Sequence, residues 1–246
     1  MEAQSKKTII ISLGGSIICP KEGEINVDFL KQFKKLIFKF LKNTSLKFIV
    51  VTGGGRTNRM YVKAAMKIGK VCYEDADWLG IHTTRLNGHL LRTIFAGVAY
   101  PVLIDDPHKI IKGNPRLLIA TGWRPGWSTD YIAVLLAKRF GTKEIINAGN
   151  IPFVYKGVKP AQGLCEENKD LKEYKKAFPV KEISWDDYRK LVGSKWTPRL
   201  SSPIDPIAAK EAQKLKIRAL IFKGTELKNF EKVILGKEFK GTIIRP

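Results

Sequence analysis

Branched apolar residues run without a break through "KTIIISLGG" and stop at Gly14 and Gly15. An uninterrupted apolar run ended by glycine predicts a strand buried on both faces. The next segment, "NVDFLKQFKKLIFKFLK", spaces its apolar residues differently. Phe29, Phe33, Leu36, Ile37 and Phe40 follow the helical period, with Asn26 or Asp28 as the cap. "LKFIVVTGGG" is a second strand running into glycines, and helical stretches follow over about 56–69 and 76–97. "YPVLIDD" and "PRLLIATG" read as strands. "STDYIAVLLAKRFG" reads as a helix with Ser128 or Thr129 as cap, Asp130 in its first turn and Gly141 as its stop. "KEIINAGN" is a further strand.

The polar, weakly periodic region 156–180 reads as an excursion from this alternation. A short helix in "ISWDDYRKLVG" follows, then a helix in "SSPIDPIAAKEAQKLKI" with Pro206 near its first turn, and late strands in "RALIFKG" and "GTIIRP". Strands alternating with helices predict an α/β fold with a mostly parallel sheet covered on both faces. With no internal repeat and no linker, the 246 residues are expected to form one domain with two functional halves dividing near residue 141.

Composition narrows the class. At 44% apolar and 27% charged residues the chain is of ordinary globular type. No apolar run approaches the ~18–20 residues of a membrane span. The start lacks the longer apolar stretch of a secretory signal, so a cytoplasmic protein is expected. Cys19, Cys72 and Cys165 lie far apart, and neither they nor His82, His89 and His108 show metal-ligand spacing, so no metal ligands are assigned. The net charge of +21 is high. Its lysines are scattered along helices, neither gathered in one block nor interleaved with aromatics, and are read as solvated faces instead of a nucleic-acid footprint.

Ligands of such a sheet bind beyond the carboxyl ends of the strands. Four polar, glycine-rich segments fall there: "SLGGS", "TGGGRTNR", "TGWRPGWSTD" and "NAGN". Glycine lets the backbone aim N–H groups at phosphate oxygens, and helices starting just after such turns add the positive ends of their dipoles. Neither a Walker loop nor the dinucleotide fingerprint is present, nor any standard nucleophile or general-base motif. That combination suits phosphoryl transfer to an acceptor that is already an anion. A phosphate monoester, with its second pKa near ~6, needs no base at neutral pH.

The ordered set "SLGGS", "TGGGRTNR", "DWLGIHTTRLNG", "GWRPGWSTD" and "SSPIDPIAAK" resembles the amino acid kinase superfamily, and within it the archaeal-type uridylate (UMP) kinases, over nearly the whole chain. The resemblance implies a three-layer αβα sandwich, transfer of a phosphoryl group from MgATP to UMP, and a homohexamer. It implies an acceptor-binding half over 1–140 and an ATP-binding half over 141–246. Gly14 and Gly15 would meet the ATP phosphates, and Gly54 the UMP. Gly55 would meet the transferring phosphate, and Arg59 the phosphate cluster. Asp77 would accept from the ribose hydroxyls and Asn87 line the same pocket. Trp123, Arg124, Pro125, Gly126, Trp127, Ser128 and Thr129 would wrap the UMP, with Asp130 holding that loop. Gly149 and Tyr155 would belong to the ATP side, Tyr155 near adenine, and Asp205 would be a charged residue near the transferred group. Several of these residues have plainer readings as well: Asp77 and Asp205 as helix caps, Trp123 and Trp127 as core or interface aromatics.

Two departures stand out. Many members of the superfamily carry a lysine where this chain has Ser12, although archaeal-type UMP kinases often lack it. Arg59, Lys6, Lys7 or the magnesium ion of MgATP are the candidates to replace that charge. The run "VYKGVKP" lacks the acidic residue expected after the tyrosine, which leaves the adenosine ribose contact unassigned. Other small acceptors, a nucleotide-binding homologue without turnover, and RNA binding through the basic charge are the competing readings.

Overall fold

The computed structural model describes residues 7–157, 178–193 and 202–246. Its main sheet has seven strands in the order β3-β2-β1-β4-β8-β9-β7. They are β1 (Thr8–Leu13), β2 (Lys47–Thr52), β3 (Leu117–Ala120), β4 (Glu144–Gly149), β7 (Glu182–Ser184), β8 (Arg218–Lys223) and β9 (Thr242–Arg245). All neighbouring pairs are parallel except β8 with β9. The helices are α1 (Gly15–Ile18), α2 (Val27–Asn43), α3 (Gly55–Ile68), α4 (Tyr73–Ile94), α5 (Thr129–Arg139), α6 (Trp185–Val192), α7 (Pro206–Lys214) and α8 (Leu227–Ile234).

Strand alternation divides the core into two layers. Ile9, Ile11 and Leu13 of β1 and Phe48 and Val50 of β2 face the side covered by α2 and α8, where Phe33 packs against Phe95 and Phe230. Ile10, Ile49, Leu118, Ile145 and Ile221 face the side covered by α5, α6 and α7. Burial of both faces explains the continuous apolar runs. The mostly parallel αβα arrangement agrees with the sequence expectation.

"YPVLIDD" is not a strand. Only Ile104 forms an isolated bridge, to Ala120, and the segment otherwise runs beside β3 as irregular chain. Pro101 has no N–H to give a ladder, and the turn over Asp106–Lys109, closed by Lys109 N–H to Asp106 O at 3.0 Å, ends the run. Helix α8 was not anticipated. Its buried residues, Phe230, Val233 and Ile234, close the core from beside α2. The strands β5 (Val154–Lys156) and β6 (Phe178–Val180) pair antiparallel at the two ends of the 156–180 region, whose middle, 158–177, lies outside the described residues.

The chain leaves β1 for β2 and β3 on one side and returns to β4 on the other. The order therefore reverses between β1 and β4, and the crevice beyond their carboxyl ends is where such sheets bind ligands.

Candidate active site

Two glycine turns cross in this crevice. Gly53 donates to Leu13 O at 3.0 Å and Gly14 to Ala148 O at 3.0 Å. A Cβ on Gly15 would stand 2.1 Å from Gly55 N, and one on Gly53 would stand 2.5 Å from Gly15 N. Gly55 is also left-handed, at φ +69°. The approach of two backbones requires these glycines whatever ligand binds. Helix α3 starts at the crossing. Its N-cap, Gly54, has no side chain to satisfy the first N–H groups, and its first turn contains Arg56 and no acidic residue. Such a terminus offers N–H donors and a positive dipole end to an anion.

Helix α4 holds the site together from one side. Asn87 Nδ2 donates to Gly53 O at 2.7 Å, and Thr84 O accepts from Thr52 Oγ1 at 3.0 Å. A Cβ on Gly54 would lie 2.6 Å from Thr83 Oγ1, so the turn and the helix are in close contact. The same helix also grips the loop 121–128. Gly122 N–H donates to Thr84 Oγ1 at 2.8 Å, and Gly126 N–H to Asp77 Oδ2 at 2.8 Å. Arg85 donates to Trp123 O at 3.3 Å. Gly126 is left-handed at φ +84°, which turns the loop back toward α5.

The loop carries a row of rings. Trp127 stacks on Tyr131 with centroids 4.4 Å apart, Trp123 lies 6.3 Å from Trp127, and His108 meets Trp123 edge-on at 5.3 Å. The Arg124 guanidinium lies over Trp123 at 4.1 Å and Trp127 at 5.4 Å, a cation–π arrangement that fixes its charge on the loop.

Across the crevice the site is built from side chains. Ser12 Oγ and Asn147 Nδ2 both donate to Asp130 Oδ1, at 2.8 and 2.9 Å. Asn147 also donates to Pro203 O at 2.6 Å. Asp205 caps α7 by accepting from the Ile207 and Ala208 N–H groups at 2.8 and 3.1 Å, and it accepts from Ser128 Oγ. Burial pushes the Asp130 carboxyl up to about 7, with the Asp205 charge adding to the shift and the Ser12 and Asn147 donors opposing it. Burial raises Asp205 too, against the pull of Ser128 and the helix N–H groups.

The amino acid kinase family model matches residues 7–223, which spans both the glycine crossing and the side-chain network. The chain belongs to the amino acid kinase family. Among its relatives is a uridylate kinase of Methanococcus aeolicus, 28% identical over 97% of this chain and 99% of that protein. Another is a uridylate kinase of Methanocaldococcus jannaschii, 28% identical over 96% of this chain and 98% of that protein. The crystal structure of uridylate kinase from Archaeoglobus fulgidus superposes with a TM-score of 0.74 at 27% identity, covering 97% of this chain and 99% of that one.

The amino acid kinase positions expected from the sequence do not all come together. Gly14, Gly15, Gly54, Gly55 and Asn87 converge on the crossing, and Gly149 ends β4 beside Gly14. Asp77, on α4, and the loop residues Trp123 to Ser128, with Thr129 opening α5, form a second group. Asp77 binds the loop's own backbone at Gly126, so it orders the loop in addition to any ribose contact. Arg59 is exposed on α3, one turn in, while Arg56 nearer the turn is half-buried. Tyr155 stands on the separate β5–β6 ladder, edge-on to Phe153 at 6.4 Å.

Asp130 does not hold the loop, as the sequence suggested. Its bonds run to β1 and β4, and the loop is held by Asp77 and, through Ser128, by Asp205. Asp205 has the geometry of a helix cap. Sequence reasoning missed Thr84, Arg85 and Asn147. A stripe at helical spacing on α4, Asp77, Gly80, Thr84, Asn87 and Gly88, was the available signal for that helix.

Proposed function

We propose that this chain is a uridylate kinase, transferring the γ-phosphoryl group of MgATP to UMP to give UDP and ADP. The observation that carries the reading is that a single helix, α4, binds both the loop 122–128, through Asp77 to Gly126, Thr84 to Gly122 and Arg85 to Trp123, and the glycine crossing, through Asn87 to Gly53. That arrangement makes a rigid acceptor cradle beside a phosphate turn. The curated relatives and the Archaeoglobus structure support UMP as the acceptor.

An oxygen of the UMP phosphate attacks the γ-phosphorus while the bond to the β,γ-bridging oxygen breaks, and ADP leaves with that electron pair. The acceptor is already ionised near neutral pH, so no side chain must remove a proton. The chain's part is positioning and charge compensation. Backbone N–H groups of Gly15 and Gly55 and the start of α3 hold the donor phosphates and the group in transfer, while Gly14, whose own N–H is bonded to Ala148 O, shapes the turn beside them. Arg59 and Arg56 supply mobile and fixed positive charge. Asp77 and Asn87 keep the acceptor loop and the turn in register, and Trp123 and Trp127 wall the UMP. Magnesium arrives with ATP as part of the substrate complex. Gly149 and Tyr155 border the donor side. Asp205 acts by holding Ser128 and the start of α7. The reading includes a homohexamer in the cytoplasm. Exposed Tyr61 and Ile68 on α3 and Tyr73, Trp78 and Leu86 on α4 are apolar surface consistent with self-association.

One panel tests it. MgATP is offered with UMP, CMP, AMP and isopentenyl phosphate, and ADP is measured. UMP-selective turnover is expected; preference for another acceptor replaces UMP in the reading. The carboxylate network beside Ser12 favours one alternative, a homologue that binds nucleotide without turnover. Tight nucleotide retention with no ADP formed would establish that form.

A further inference from the structure

The cluster at the ends of β1 and β4 contains one buried carboxylate, Asp205, and one half-buried carboxylate, Asp130, and no cation among the described residues bonds to either. Asp205 is 5% exposed and accepts from Ser128 Oγ and two backbone N–H groups. Asp130 accepts from Ser12 and Asn147 on Oδ1 alone among the described residues. The described groups that bond to or shift the pair are neutral or acidic. β1 gives Ser12 and β4 gives Asn147. Helix α6 gives Tyr188, whose hydroxyl is tied to Ile204 and feels both carboxylates. Helix α7 gives Asp205 and Glu211, and the loop gives Ser128. Glu211 and Asp205 are felt at the Tyr131 hydroxyl, as is Arg124. No cation among the described residues figures in what shifts Asp130 or Asp205.

Ser12 lies two residues before Gly14, about 7 Å along the strand. A polyphosphate at this turn, on the Gly15 N–H, therefore brings further negative charge within roughly 10 Å of Asp130, in a poorly solvated setting where such repulsion is strong. We propose that Asp130 and Asp205 hold one proton between them when nucleotide is bound, so that this proton takes the place of a cation at Ser12 and nucleotide binding tightens as pH falls. Asp205, with three donors, is the member that stays ionised, and Asp130 carries the proton. Burial and the neighbouring charge already raise Asp130 in the free protein, and bound phosphate raises it further. The inference builds on the uridylate kinase reading only in taking the donor phosphates to lie at this turn.

The test is MgATP affinity of the full chain between pH 7.5 and 9, where the ligand phosphates are ionised. Uptake of one proton predicts a Kd that rises up to about tenfold per pH unit. Calorimetry in two buffers of different ionisation enthalpy should show about one proton, or a large fraction of one, taken up on binding at pH 8. Asp130→Asn, which carries no charge, should flatten the profile and bind at pH 9 nearly as well as the parent at pH 7.5. Ser12→Lys, which places a cation against Asp130, should also flatten it and keeps the test open if Asp130→Asn fails to fold. Tight binding of the parent with no pH slope and no proton uptake overturns the proposal and leaves the kinase reading standing. So does a slope that persists unchanged in both variants. Absence of MgATP binding at every pH overturns both.

Discussion

The two sides of the crevice are built by different means. On one side Gly15, Gly53 and Gly55 bring two backbones into contact, and the polar groups there belong to the main chain. On the other, Ser12, Asp130 and Asn147 form a side-chain network from β1, α5 and β4, and Asp205 at the start of α7 holds Ser128 beside it. The backbone side admits no substitution that adds an atom. The side-chain side accepts changes of charge at constant shape, so its electrostatics can vary while its geometry stays. A departure such as Ser12 is therefore tolerable on the second side, whereas the glycines are fixed by sterics.

The sharpest way to break the comparison is Gly15→Ala. The added Cβ would lie 2.1 Å from Gly55 N and 2.5 Å from Gly53 C, all of it backbone, so the two turns must part. Turnover should fall by at least about 10³-fold, with stability lowered by roughly 1–3 kcal/mol as for an overpacked core. Steady-state ADP formation and urea unfolding measure the two effects. Normal turnover would mean that the crossing yields easily and is not the fixed side.

Arg59→Ala leaves the crossing intact and removes only exposed charge. A loss of about 10²-fold in kcat is expected if that arginine reaches the phosphoryl group in transfer. A near-normal kcat would move the role to half-buried Arg56. Asp77→Ala acts more mildly, by releasing Gly126 N–H and loosening the loop. KM for UMP should rise by about tenfold with little change for MgATP, since α4 grips the acceptor loop. Equal changes in both constants would show that α4 supports the donor side as well.

The difference between the two sides also explains what could be read in the sequence. The glycine turns announce themselves as "LGGS" and "TGGGR" after unbroken apolar runs, and the parallel sheet follows from those runs. The loop 121–128 stands in one contiguous segment. The side-chain network could not be read that way, because positions 12, 130, 147 and 205 meet only after the strand order reverses. Ser128, Asp130 and Asp205 each lie at a helix start, where a cap is the ordinary expectation, and only Ser128 and Asp205 are caps. "YPVLIDD" misled because its apolar content matches a strand, whereas Pro101 and the turn over Asp106–Lys109 deny it a ladder. Helix α8 went unread because its burial comes from tertiary contact with α2 and not from length.

The smallest effect belongs to the stability of the network itself. A carboxyl at about 7 in the folded chain against 3.8 in the unfolded one keeps its proton on folding where the unfolded chain has lost it. The native state then binds more protons, so stability falls as pH rises from about 4 and levels off above about 7. Asp130→Asn removes that dependence while keeping an oxygen for the Ser12 and Asn147 donors. Relative to the parent, the variant should be about equal at pH 4, gain through pH 6, and stand roughly 1 kcal/mol more stable at pH 8, allowing for relaxation of the buried charge. Titrations shared by both proteins cancel in the difference between their urea midpoints. A gap of constant size from pH 4 to 8 would mean that Asp130 is ionised throughout, and the side-chain side would then carry two fixed negative charges facing the phosphate turn.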